Sequence, residues 1–473
     1  MRIKNTGYIV GLCAIQAMGA SSSFFVPRQI TTDPTFELGL NYFQHMYRED
    51  VDTDKFYSDI TANIVYQNST NEEELARYFL KDNKCSLAVR ENGTGDLGSL
   101  WFQTIAASGA SYSSTLTLFP ERHVWGIVPA WYASWKKFWA NVTTSLIGVE
   151  HDANLSETSI INQGTTSGFE TLTNYFKNTD ATYGPNYGRI DSVERDKVGL
   201  DDIQCKIGYT PVKRDNGHLG FYLVGTIPTG RDRSAVNMFA PVVGSKNGSF
   251  GLGAYGDVEL LKRDRVRMSF MSDLKYRYVF SHHEMRSFDL TNNGDWSRYL
   301  LVVTNASRLD SQPAINYLTC SADIAPRSTI DFWNALHIAW HTHWNFETGY
   351  VFWWRQSEKI TTGSCCTITD NGVGIFDMAG ALAGSAVSAG TANITMSAAG
   401  TNVATSDASF TTIQTSDLNL CSGAHPSSWS HKIYGAFAYD NDWGKVGFGG
   451  SYEFAAHKAL EQWGLWGNIS VAF

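Results

Sequence analysis

The sequence predicts an all-β chain, a transmembrane antiparallel up-and-down β-barrel of about twelve strands (range about 10 to 16), with long outer loops and one short helix. Three observations carry this. Many segments alternate apolar and polar residues; in "QWGLWGNISVAF", Trp463, Leu465, Ile469, Val471 and Phe473 share one face, with Gln462, Asn468 and Ser470 on the other. Aromatic residues bound such segments ten steps apart, as at Trp429 and Tyr439 or Trp463 and Phe473. Ten steps of about 3.3 Å, tilted by about 40°, climb roughly 25 Å, the height of an outer-membrane barrel's apolar band. Finally, short connections alternate with long ones along the chain, as the two ends of such a barrel require.

In chain order, "MRIKNTGYIVGLCAIQAMGASSSFF" places Arg2 and Lys4 before an apolar run and small residues, the pattern of a cleavable export signal over 1–22. That run, about 13 residues, is short of the roughly 20 a spanning helix needs. Residues 23–53 form a plug or a periplasmic stretch, and 54–473 the barrel. Strands are expected at 56–66, 124–135, 138–148, 203–209, 219–227, 250–260, 266–280, 332–344, 346–354, 429–439, 446–456 and 463–473. Short periplasmic turns fall near Lys136 and Lys137, 212–216, 262–264, Asn345 and Asn441. Outer connections fall at 68–121, 150–198, 229–247, 282–329 and 359–427, and "RYLLVV" (298–303) is a candidate additional strand. "NEEELARYFLKDN" is a short amphipathic helix capped by Asn71. The stretch 374–415, rich in Ala, Gly, Ser and Thr, is a loop.

The polar faces define the lumen. Parity places Arg265, Arg267, Asp273, Lys275 and Arg277 there, with Asp257 and Glu259 on the preceding strand and Glu347 and Arg355 on a later one. This basic stripe either favours anionic solutes or braces the barrel through ion pairs with the acids. His337, His341 and His343 also fall on the inner parity. Because His337 and His341 would lie about 13 Å apart along a strand, they read as polar lining and not as a metal site. The aromatic girdle comprises Trp135, Trp344, Phe346, Trp354, Trp429, Tyr439, Trp443, Trp463 and Phe473. A disulfide from Cys365 or Cys366 to Cys421 is expected to close the last long loop.

A net charge of −9 argues against nucleic-acid partners. Without a G-x-S-x-G elbow, "HPSSWSH" (425–431) is a loose match to a hydrolase site, so no enzyme and no cofactor are expected.

The export signal, the ten-residue alternating strands, the short and long connections and the final "GNISVAF" together resemble Gram-negative outer-membrane β-barrel proteins of the porin and transporter type. In that class the terminal aromatic, here Phe473, is what the barrel-assembly machinery reads. The resemblance implies a bacterial outer membrane, with the bilayer and lipopolysaccharide as surroundings. "LDDIQCKIGYTPVKRDNGHLGFYLVGTIPTG" (200–230) resembles outer-membrane transporters of hydrophobic compounds and aromatic-degradation pathways. The proline-containing amino-terminal hatch of the long-chain fatty-acid transporters is not recognisable. The function implied is a channel or transporter for small solutes; the alternative is a surface adhesin or structural barrel with a closed lumen. The substrate and the oligomeric state stay open.

Overall fold

The computed structural model describes residues 22–47, 55–90, 94–102, 104–106, 112–162, 165–179, 184–191, 195–304, 312–341, 343–362, 368, 373–376, 392–395, 410–441 and 444–473. Except for Ser22, the expected export signal lies outside them.

Twelve strands close into an antiparallel barrel. They are β1 (Phe56–Ser69), β2 (Glu121–Trp135), β3 (Phe138–Thr143, continued by Leu146–Asp152), β4 (Arg195–Leu200, continued by Ile203–Arg214), β5 (Gly217–Ile227) and β6 (Ser249–Arg263). The rest are β7 (Val266–Val279), β8 (Arg327–Trp340), β9 (Trp344–Arg355), β10 (Ser428–Asn441), β11 (Gly444–His457) and β12 (Gln462–Ala472). Each pairs with its chain neighbour, and β12 closes on β1 with Val65 opposite Trp466 and Ile60 opposite Val471. Closure leaves no unpaired edge, the condition for sheet in lipid. All twelve expected strands form, and the ends move by a few residues.

Alternation decides the two faces. Along β7, Phe270, Leu274, Tyr276 and Tyr278 are exposed, while Asp273, Lys275 and Arg277 are buried. The exposed apolar side chains run around the outer wall, among them Ile64, Ile207, Phe221, Leu252, Phe448 and Leu465. A continuous apolar surface of this extent is untenable in water and natural in a bilayer. Among the described residues no helix is long and apolar enough to cross a membrane. Inside, glycines leave room for rings from the neighbouring strand. A Cβ on Gly208 would lie 2.1 Å from Trp139, and one on Gly349 would lie 2.2 Å from Tyr434.

One turn sits elsewhere than expected. β8 ends at Trp340, and His341, at φ 54°, turns the chain into β9 from Trp344. Alternation alone carries the strand on to Trp344, because it does not register a left-handed residue. The wall is also interrupted at one level. Thr144 and Ser145 in β3 face Asp201 and Asp202 in β4, between the pairs Thr143–Gln204 and Leu146–Leu200.

The outer connections are folded. The helix α3 (Glu72–Phe79) is capped by Asn71, whose side chain accepts from Glu74 N. Its buried Leu75, Tyr78 and Phe79 join Leu87, Phe102, Tyr175, Phe176, Trp296, Tyr299 and Ile315 in one apolar core above the barrel. Small sheets brace this dome. Leu301–Thr304, overlapping the candidate strand "RYLLVV", pairs there with Gln312–Pro313 and Val373–Phe376 and stays outside the barrel wall. Most of 374–415 lies outside the described residues. So do Cys365 and Cys366, and the expected link from them to Cys421 falls outside with them, while Cys320 is disulfide-bonded. Sequence spacing carries no information on which cysteines meet.

The dome holds a buried ion network. Arg286 bonds Glu284 at 2.8 Å and reaches Glu358 at 3.4 Å, with its guanidinium stacked 3.3 Å from the Phe24 ring centroid. Burial works against the Glu284 charge, but Arg286 and Arg233 outweigh it and hold the carboxyl down at about 2. A lowered folded value stabilises the dome above the ordinary glutamate range. That contribution, on the order of 3 kcal/mol, is lost as pH falls from about 4.5 to about 2. Acid titration followed by tryptophan fluorescence should show the dome loosening over that window, and Glu284→Gln should remove the transition in that window while lowering stability at neutral pH. At the other end, Phe473 N donates to Ser58 O at 2.9 Å and Phe473 O accepts from Ser58 N at 3.2 Å. Deleting Phe473 removes both closing bonds and the rim aromatic, so assembly of the barrel should fall severalfold, measured as heat-modifiable barrel in membranes.

Candidate functional site

The inward faces do not enclose an open pore. Residues 22–47 run from the dome down into the lumen and bond to their surroundings along their length. Ser23 N bonds Ser422 O in the dome at 3.0 Å, and Tyr78 donates to Phe24 O at 2.7 Å. Lower down, Arg28 bonds Asp331 at 2.7 Å and Gln29 donates to Asp202 at 2.6 Å. The next turn is local chemistry. Asp33 caps α1 (Pro34–Glu37) by accepting from Thr35 N, and Pro34 supplies a preset φ at its first position. Asp33 also pairs with Lys432, and Glu37 with Lys206 at 2.6 Å. After Leu40, at φ 61°, the segment re-enters a helix, α2 (Asn41–Tyr47).

Helix α2 fills the mouth at the short-turn end of the barrel. His45 bonds Asp59 at 2.8 Å and stacks on Tyr132 at 3.8 Å, and Phe43 stacks on His337 at 4.1 Å. The Arg267 guanidinium lies 4.3 Å from the Tyr47 ring centroid. Asp257 accepts from Tyr42, Tyr47 and His218 together.

The lumen residues expected from parity divide into two groups. Asp257, Glu259, Arg267, Asp273, Lys275, Arg277, His337, Glu347 and Arg355 face inward and are engaged. Glu259 pairs with Arg267, and Asp273 accepts from Tyr222 at 2.8 Å. Lys275 donates to Thr32 O at 2.8 Å, and Arg277 reaches Asp331 at 3.4 Å. His337 bridges Glu347 and Asn345 at 3.1 Å each, and Glu347 accepts from Leu40 N at 3.1 Å. Arg355 bonds Glu358 at 3.0 Å. The other three are corrections. Arg265, His341 and His343 are exposed at short turns, since β7 begins at Val266 and β8 stops at Trp340. His343 lies against Tyr439 and meets Asp440 O at 2.7 Å. Among the described residues no three His, Cys, Asp or Glu side chains are grouped to hold a metal ion.

The girdle residues Trp135, Trp344, Phe346, Tyr439 and Phe473 are exposed on the outer wall, and Trp354, Trp429 and Trp463 are half-buried. Trp443 lies outside the described residues.

Sequence reasoning missed the plug's own charges, Arg28, Asp33 and Glu37, their wall partners Lys206, Asp331 and Lys432, and Lys445, which donates to Leu40 O and Asn41 Oδ1 of the plug. Inner parity held Lys432 and Lys445, but nothing local names their partners. "TTDPTFE" (31–37) did carry a signal, the Asp-Pro start of a short helix. Cavities remain beside the plug. One, about 60 Å³, lies at the upper end of the plug, and one, about 30 Å³, lies between α1, α2 and Trp139.

No family model matches the chain, and no curated protein matches it. Among solved structures it is similar to an outer membrane channel from Pseudomonas putida F1, at 9% identity over 90% of this chain and 99% of that one, with a TM-score of 0.37. The monoaromatic hydrocarbon channel CymD is 9% identical over 96% and 97% of the two chains, with a TM-score of 0.30. The Pseudomonas putida toluene transporter TodX is 8% identical over 96% and 95%, with a TM-score of 0.28. At these scores the likenesses assign no role to any residue here.

Proposed function

We propose that this chain is a transporter of the bacterial outer membrane, closed at rest by residues 22–47, through which small solutes pass without an energy source once that segment rearranges. The supporting observation is the matched charge between plug and wall. Asp33 with Lys432, Glu37 with Lys206 and Arg28 with Asp331 hold the segment in the lumen. A segment bound by discrete polar contacts, with residual cavities beside it, suits a gate better than a permanently dry apolar core. The apolar outer wall supports the membrane location. The alternative, a surface-binding barrel with a permanently closed lumen, is favoured by one observation, the packed dome over the outer mouth.

Planar-bilayer conductance separates the two. The full chain should give small, intermittent currents. Asp33→Asn, which leaves Lys432 with Glu453 at 3.2 Å as its remaining carboxylate, should raise open probability about tenfold. A chain lacking residues 28–47 should conduct steadily. Silence from all three folded proteins would overturn the transporter reading in favour of the closed barrel.

A further inference from the structure

Where the plug enters the barrel from the dome, the cavity of about 60 Å³ lies between residues 26–32, the outer ends of β6 to β9 and the connection after β5. Its wall holds four arginines, Arg28, Arg233, Arg277 and Arg355, against one carboxylate, Glu358. None of the four is more than 9% exposed.

The carboxylates around these arginines are shared. Glu358 bonds Arg355 at 3.0 Å and lies 3.4 Å from Arg286. Asp331 serves three cations, with Arg28 at 2.7 Å, Arg277 at 3.4 Å and Lys275 at 3.8 Å. Glu284, 3.7 Å from Arg233, is already bonded to Arg286. Asp33 and Glu453 each stand 3.7 Å from Arg28, and both contact Lys432. After all of these, Nε of Arg28, Arg233 and Arg277 and Nη1 of Arg28 have no hydrogen-bond acceptor, and neither has the Thr329 hydroxyl. Buried guanidinium donors left unanswered are costly, and their fork geometry matches an oxyanion.

The remaining wall sets the size and kind of ligand. At about 10–15 Å³ per water, the space holds roughly four to six water-sized bodies, enough for a carboxylate with one or two further carbons and too little for a long acyl chain or a sugar. Val26, Pro27 and Trp353 make one side apolar, which suits an alkyl end better than a fourth phosphate oxygen.

We infer that this cavity is a binding site for a small monocarboxylate of acetate or propionate size, its oxygens on Arg28, Arg233 and Arg277 and its alkyl end on Trp353. The site lies on the boundary between plug and dome, so an anion there would meet donors from both. It gives the transporter reading a substrate class and rests on that reading. Equilibrium binding and conductance are separate measurements, so either can fail alone.

The test is calorimetric titration of the full chain in detergent at low salt with propionate, with its neutral isostere propionamide, and with inorganic phosphate. Propionate should bind saturably at one site, at least tenfold tighter than either comparator. Arg277→Gln should weaken it at least tenfold. Arg233→Gln, in the connection after β5 and clear of the Asp331 cluster, should do the same in a chain whose circular dichroism is unchanged. Propionamide binding as tightly as propionate, no propionate binding, or wild-type affinity in a folded Arg233→Gln chain would overturn the site. Phosphate binding tighter than propionate would overturn the carboxylate class.

Discussion

The structure depends on matching buried charge between the lumen wall and the segment inside it. Lys432, Lys206 and Asp331 are at most 2% exposed, and an ion buried without a partner costs several kcal/mol. The plug supplies one partner to each, Asp33 to Lys432, Glu37 to Lys206 and Arg28 to Asp331, beside the wall's own Glu453 at Lys432 and Arg277 and Lys275 at Asp331. Without it the wall would need water or ions in their place, so an empty lumen would be a wet one. The plug is equally dependent on the wall, because its own apolar residues Ile30, Phe36 and Tyr42 pack against Val65, Trp333 and Trp466. Polar and apolar contacts alternate along the same short stretch, which fixes its depth in the barrel as well as its presence.

This division explains what could be read in advance. Barrel strands are legible because each repeats one local rule, apolar outward and small or polar inward, for ten or more residues. The rule placed Asp273, Lys275 and Arg277 inside and Phe270, Leu274 and Tyr276 outside. It fails where the backbone stops obeying it. His341 leaves the strand at a positive φ while the alternation of side chains runs on, so His341 and His343 were carried past the end of the wall. The partners of the inward charges are illegible for another reason. Asp33 and Lys432 are separated by almost the whole chain, and no periodicity links them.

The dome is the third case. Its helix α3 announces itself by Asn71 and the stripe Leu75, Tyr78 and Phe79, yet the surface that stripe packs on comes from several loops far apart in sequence. Trp296 Nε1 bonds Phe79 O at 3.0 Å, and Tyr299 bonds Gly188 O at 2.7 Å. Long outer connections in a barrel are under no periodic constraint, so their fold rests on such tertiary contacts. The same contacts give the lumen a lid, since Phe25 from the plug joins the dome core through Tyr78 and Phe79.

The interrupted wall ties these parts together. At the break in β3 and β4 the regular ladder gives way to isolated backbone bonds, Asp201 N to Ser145 O at 2.7 Å and Thr144 N to Pro129 O at 3.2 Å, which keep these groups satisfied within the protein as lipid requires. Beside the break the Asp201 carboxylate ties the plug to the wall, accepting from Thr31 N at 3.2 Å, Thr31 Oγ1 at 2.9 Å and Ser145 Oγ at 3.1 Å. Asp202 accepts from Gln29 at 2.6 Å, Gly230 N at 3.0 Å and Ser245 N at 2.8 Å. The close passage of the loop here requires Gly244, at φ 76°, because a Cβ would lie 2.4 Å from Gly230. Two adjacent carboxylates therefore hold the plug, the broken wall and the loop after β5 in one network. Gln29 and Ser245, which donate to Asp202, also line the arginine cavity. A shift of the plug that frees Gln29 and Thr31 would leave Asp201 with only Ser145 Oγ and Asp202 N as donors and Asp202 with those of Gly230 and Ser245, at a point where the sheet ladder is already interrupted. Plug position, wall continuity and the shape of the cavity are thus one mechanical variable.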